Sequence, residues 1–236
     1  MQQQLSDLTE RLKQTFGDRL VSAILYGSAA AGDWNEHHSD LNVLCVLSTI
    51  TPRELRESEP VIRWWREQGH PPPLLMTPEE VRGSTDCFAI EFHDMKEHRR
   101  VLIGRDVIED LVIDRSFYRA QVEHELRSKQ IRLRQKAAET LTDRDRLIRL
   151  LIDSISTFAV LGRHALMLAG RKPRWKKHEV ISELEETLGV RFTAANQLLA
   201  FRGAGKDLPK IDATPLLETY LKEVDALVRF VDGLDR

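Results

Sequence analysis

Gly27-Ser28, reached through the apolar Leu25-Tyr26, and the stretch Ser39-Asp40-Leu41-Asn42-Val43-Leu44 hold the residues whose types and spacing suit phosphate and metal chemistry. Gly27 has no Cβ, so a ligand can approach the backbone closely there. Ser28 offers a hydroxyl and, with the N–H groups of a short helix start behind it, faces an anion. Asp40 and Asn42 lie two apart at the head of an apolar strand, which points both side chains to one face. Asp40 supplies a charged, hard oxygen of the kind Mg²⁺ takes; the Asn42 amide oxygen can ligate but carries no charge. A third oxygen donor is found in Phe88-Ala89-Ile90-Glu91-Phe92. Read as a strand, this segment puts its three apolar side chains on one face and leaves Glu91 beside Ala89 on the other. An acid in that setting is costly to bury unless a cation or hydrogen bonds receive it. Asp94, two residues further on, is the alternative.

The elements that must position these residues alternate between strand-like and helical patterns. Leu5, Leu8, Leu12 and Phe16 share one helical face. Residues 20–26 and 41–47 are short apolar runs bounded by Gly or polar residues, as buried strands are. Thr51-Pro52 and Thr77-Pro78-Glu79-Glu80 are helix starts, each a capping residue followed by a first-turn proline. Pro71-Pro72-Pro73 closes the first of these helical regions and leads into a brief strand, Leu74-Leu75-Met76. Val101-Leu102-Ile103 reads as a further strand. Beyond about residue 115 the strand signal stops. Tyr118, Val122, Leu126, Leu133 and Ala137 mark a long amphipathic helix, and residues 147–169 are apolar all round, as a central bundle helix is. Leu217, Leu221, Val224, Val228 and Val231 define a C-terminal helix. Shorter helices are expected at 177–188 and 193–201, with Gly189 between them. The pattern predicts a mixed α/β sheet domain over 1–114 and an all-α bundle over 115–236.

Gly-Ser, an eleven-residue gap (29–39) and Asp-x-Asn heading a strand resemble the signature of the nucleotidyltransferase superfamily, which includes aminoglycoside and minimal nucleotidyltransferases. The resemblance covers residues 20–47, with support from the strands up to about 103. It implies a nucleotidyltransferase-like α/β fold with a helical second domain, and transfer of a nucleoside monophosphate from Mg-NTP, with ATP as the expected nucleotide. Mg²⁺ would sit on Asp40, Asn42 and Glu91. Gly27 and Ser28 would hold phosphate, and Asp40 and Glu91 would be the catalytic pair. Relatives place a second Asp where this chain has Asn42. Two outcomes follow, a slower enzyme with one well-held metal or a nucleotide- or protein-binding remnant without turnover.

Two basic stretches lie in the helical half. In Arg127-Ser128-Lys129 and on to Arg134, the Glu123-to-Arg127 spacing suits a same-helix pair. Lys129 is the residue expected to reach the nucleotide, because relatives commonly use a lysine from the second domain. Arg171 and His178, inside Arg171-Lys172-Pro173-Arg174-Trp175-Lys176-Lys177-His178, are similar in spacing to the Arg and His of HEPN-type ribonucleases. Pro173 speaks against one regular helix there and favours a charged loop. His37-His38 and His93…His98 have no metal-ligand spacing and read as exposed polar residues.

The net charge of −2 gives no general attraction to nucleic acid or to an anionic membrane, so nucleic acid is not an expected partner. Cys45 and Cys87 lack CxxC spacing and read as reduced and buried, hence cytoplasmic. No signal peptide is recognised at Met1-Gln2-Gln3-Gln4, and no apolar run reaches the ~20 residues a membrane span needs. Expected partners are a nucleoside triphosphate and a hydroxylated acceptor, either a small molecule or a protein side chain. A homodimer is one arrangement that would complete a cleft.

Overall fold

The computed structural model describes residues 1–32, 40–203 and 208–234, which form two compact units, Met1–Ser116 and Phe117–Arg236. The first unit opens with α1 (Gln2–Phe16), whose buried Leu5, Leu8, Leu12 and Phe16 recur at helical spacing. A 3₁₀ turn, Gly17–Arg19, leads into β1 (Leu20–Tyr26), and β2 is Asn42–Leu47. Then come α2 (Pro52–Glu67), β3 (Leu74–Met76), α3 (Pro78–Gly83), α4 (Ala89–Glu97) and β4 (Arg99–Gly104). Both threonine-proline starts form capping boxes: the Thr51 and Thr77 N–H groups donate to Glu54 Oε2 (3.0 Å) and Glu80 Oε2 (2.7 Å).

The four strands lie in the order β3-β2-β1-β4. β1 runs antiparallel to both β2 and β4, and β3 runs parallel to β2. Alternation splits the central strands between two cores. Ala23, Leu25, Val43, Cys45 and Leu47 pack with α1 and with Val61 and Trp65 of α2. Ile24, Leu44 and Val46 pack with Val81, Phe92, Met95, Ile108 and Leu111. Burial on both faces explains why these strands read as continuous apolar runs.

Residues 88–92 are not a strand. Ala89 to Glu97 is helical, and its buried Ala89, Phe92 and His93 fall at i, i+3 and i+4. Five residues of alternating character fit either structure, and here Phe92-His93-Asp94-Met95-Lys96-Glu97 continues without a breaker and carries the helix onward. His93 therefore faces the core and is only 7% exposed, contrary to the expectation of a surface histidine. Cys45 is buried, and burial pushes its thiol up to about 12; Cys87 is exposed rather than buried.

The second unit contains α5 (Tyr118–Thr140), α6 (Arg144–Leu168), α7 (Lys177–Leu188), α8 (Thr193–Gly203) and α9 (Ala213–Asp232). Gly189 ends α7 in the left-handed conformation at φ 66°. α6 contacts each of the other four helices. By length and composition it is apolar enough to cross a membrane, against the expectation from the sequence. Of its most apolar stretch 61% is buried, in keeping with a core helix. The bundle encloses polar groups too. Tyr118 Oη lies 2.5 Å from His164 Nδ1, and the Arg163 guanidinium stacks 4.2 Å from the Trp175 ring centroid.

Candidate functional site

The best-defined grouping of the expected residues is at the C-terminal end of β1. Gly27 follows that strand with φ 77°, and its carbonyl accepts from both Ala30 N and Ala31 N at 3.0 Å. Within the described residues the segment after Ser28 is thus a hydrogen-bonded turn, not the start of a longer helix. Across the sheet, Asn42 pairs with Tyr26 as the last rung of the β1–β2 ladder. A Cβ at position 27 would lie 3.2 Å from Asn42 Nδ2, so the bare backbone at Gly27 and the Asn42 amide fit closely. The positive φ and that contact both select glycine.

Glu91 reaches this neighbourhood from the first turn of α4 rather than from a strand. It is exposed, and its charge acts on Tyr26. Burial raises the Tyr26 phenol above its usual range, and the Glu91 carboxylate raises it further, since removing a proton beside a negative charge is harder. Tyr26 belongs with Ile24 and Leu44 to the sheet face that packs on α4, and alternation puts Asn42 on that same face. Asp94 follows Glu91 by about one turn of the same helix and is half-buried.

Asp40 lies outside the ladder, because β2 begins only at Asn42. The expectation that the two share a strand face holds for Asn42 but has no strand geometry to support it at Asp40. Asp40 is exposed and acts electrostatically on His70. Burial lowers the His70 imidazole below its usual range, and the Asp40 charge opposes that shift. His70 Nδ1 accepts from Leu41 N at 3.4 Å, and its ring packs on Trp65 with centroids 4.4 Å apart. Ser39, His37 and His38 lie outside the described residues.

Among the described residues no group of three or more His, Cys, Asp and Glu side chains is disposed to hold a metal ion. The available oxygens are two carboxylates, Asp40 and Glu91, and one amide, Asn42. That set suits Mg²⁺ arriving with a triphosphate, since Mg²⁺ commonly rests on one or two carboxylates plus phosphate oxygens. It does not make an all-protein cage. Two cavities elsewhere in the first unit, of about 490 and 320 Å³, are lined by none of these residues.

In the helical unit, Lys129 pairs with Glu125 at 3.4 Å, and Arg127 with Glu123 at 2.7 Å, the latter being the expected same-helix pair. Arg171 is exposed in the connection between α6 and α7, and His178 is exposed near the start of α7. Residues 171–176 are the charged loop that Pro173 suggests, and His178 belongs to α7, so Arg171 and His178 do not share one helix. Tyr26 and His70 were not singled out in the sequence. Tyr26 directly precedes Gly27, which is the one signal it gave. His70 sits before three prolines that hold an extended connection, but nothing nearby in sequence points to Leu41.

No protein-family model matches this chain, and no curated protein matches it by sequence. A solved structure does match it in fold: spectinomycin adenyltransferase AAD(9) from Enterococcus faecialis with ATP and spectinomycin. The TM-score is 0.66 at 14% identity, over 99% of this chain and 100% of that chain. The architecture, a mixed four-stranded sheet flanked by helices and followed by a helical region, is the nucleotidyltransferase fold.

Proposed function

We propose that this protein is a nucleotidyltransferase that moves a nucleoside monophosphate, with ATP as donor, onto a hydroxyl of a small molecule. The observation that carries this reading is the meeting of Gly27, Asn42 and Tyr26 at one strand end, under the charge of Glu91. It occurs in a chain whose fold matches, end to end, an adenyltransferase solved with ATP. The spectinomycin in that structure makes small hydroxylated molecules the first acceptor class to test; a protein side chain is the second.

In this reading the Gly27 backbone and Ser28 hold the triphosphate, beside the Asn42 amide that fills the space a Cβ at position 27 would take. Asp40, Asn42 and Glu91 are the oxygens that would hold Mg²⁺, which when bound screens the triphosphate and polarises its α-phosphorus. Glu91 takes the proton of the acceptor hydroxyl. The acceptor oxygen forms a bond to the α-phosphorus as the α–β bridging bond breaks, and pyrophosphate leaves with that electron pair.

The test is calorimetry of the whole chain with MgATP, then labelled-nucleotide transfer to a panel of hydroxylated small molecules. Binding is expected, with transfer reduced roughly 100-fold or more in Asp40→Asn. Absence of both heat and pyrophosphate would overturn the assignment. A second reading, nucleotide binding without turnover, is favoured by the fit of the Asn42 amide against Gly27, a structural use for a side chain in a ligand position. Asn42→Asp separates the two. A working but weakened centre gains Mg²⁺ affinity and rate from the added charge, whereas a remnant binds ATP and transfers nothing in either form.

A further inference from the structure

We propose that His70 is a positioning residue for the Asp40–Asn42 pair, holding the entry to β2 by taking the Leu41 N–H that the strand ladder leaves open. This rests on the assignment of Asp40 and Asn42 to a metal-nucleotide site. The β1–β2 ladder ends at the Tyr26–Asn42 rung, so Leu41, one residue earlier, has no strand partner. Leu41 is fully buried, and a buried N–H needs an acceptor. His70 Nδ1 supplies it at 3.4 Å, from the connection between α2 and β3, twenty-nine positions away in sequence.

Leu41 is the residue between the two proposed ligands. Fixing its amide plane fixes the direction in which Asp40 leaves the strand. The imidazole is itself held: its ring packs on the fully buried Trp65, and the three prolines that follow stiffen the chain it hangs from. Accepting at Nδ1 places the ring proton on Nε2. Nε2 is buried with no hydrogen-bond partner among the described residues, so the Leu41 N–H is the ring's one hydrogen-bond partner there. The same ring also feels the Asp40 charge, which puts residue 40 close to the group that anchors its neighbour.

Two substitutions separate this hydrogen bond from simple packing. His70→Phe keeps an aromatic ring against Trp65 and cannot accept; His70→Asn loses the ring but presents an oxygen near the place of Nδ1. In the whole chain, the Leu41 amide should exchange at least about 10-fold faster in His70→Phe, with the amides of β1 and β4 unchanged. Binding of Mn²⁺ with a non-hydrolysable ATP analogue should weaken roughly 10-fold in His70→Phe and recover in His70→Asn, as loss of a group that orients a metal ligand does. Wild-type binding left unaltered in His70→Phe overturns the proposal alone, as does loss of binding in both variants with Leu41 exchange unchanged. A wild-type chain that binds no Mn-nucleotide removes the ligand assignment and this proposal together, and the exchange data then report only a strand anchor.

Discussion

Glu54 in the α/β unit and Glu223 in the helical unit are equally hidden, each 3% exposed, yet their surroundings move their acidities in opposite directions. Glu54 accepts from the Thr51 hydroxyl at 2.5 Å and pairs with Arg19 at 2.5 Å. The Thr51 hydrogen bond foremost, with Arg19 adding to it, holds the carboxyl down at about 2. Glu223 projects from α9 to the start of α8 and accepts from Ala194 N (2.8 Å), Ala195 N (2.9 Å) and the Thr193 hydroxyl (3.3 Å). Among the described residues no salt bridge involves it. Burial therefore outweighs its three donors and raises its carboxyl above the usual range. Dipoles satisfy the hydrogen-bonding needs of a buried carboxylate, whereas a nearby cation also offsets its charge. Both carboxylates close a helix start, but only the one in the α/β unit has a cation beside it, at the Leu20–Leu47 end of the ladder, opposite Gly27 and Asn42.

The strongest way to sharpen this contrast is Glu223→Ala, which strips the acceptor from two buried amides. It should destabilise the helical unit by about 3 kcal/mol, read by hydrogen exchange as faster exchange in α8 and α9 with β1 and β2 unaffected. Equal loosening of both units would break the comparison. A smaller effect is expected from Arg19→Gln. Without the guanidinium, the Glu54 carboxyl should rise from about 2, and the acid-unfolding midpoint of the α/β unit should move to higher pH. An unmoved midpoint would mean that Arg19 is a surface ornament.

The mildest effect lies in the wild-type pH dependence. Glu54, lowered when folded, lends stability above its usual 4.5 that fades as pH falls towards about 2. Glu223, raised when folded, favours folding below 4.5 and gives that up as pH climbs through its raised value. Unit-resolved exchange between pH 4 and 6 should therefore show the helical unit's contribution from Glu223 declining as pH rises, while Glu54's contribution holds. Parallel slopes for α8 and for the start of α2 would contradict the opposed assignments.

The sequence was most readable where a local rule decides. Thr51-Pro52 and Thr77-Pro78 mark helix starts through capping chemistry confined to four residues, and α7 ends at Gly189 because that position takes a positive φ. The apolar stripes of α1, α5 and α9 likewise need only their own periodicity. Reading failed at 88–92, where alternation over five residues fits a strand and only the following six decide for a helix. That error left Glu91 as a candidate but brought it in on the wrong element. Tyr26 and His70 were invisible for a different reason: one matters through Glu91 and the other through Leu41, and both contacts exist only once the chain has closed on itself. The hold of Glu223 on α8 is of the same kind, joining residues about thirty apart.

The position of α6 carries a last consequence. Every other helix of its unit leans on it, and the connection that follows it, residues 169–176, runs largely exposed on the surface. α9 also packs on α5 and α8, and α7 on α8, but α6 is common to all four packings, so the helices should assemble and come apart as one body. A nick in that connection would then leave two fragments that are each incomplete alone and complementary when mixed.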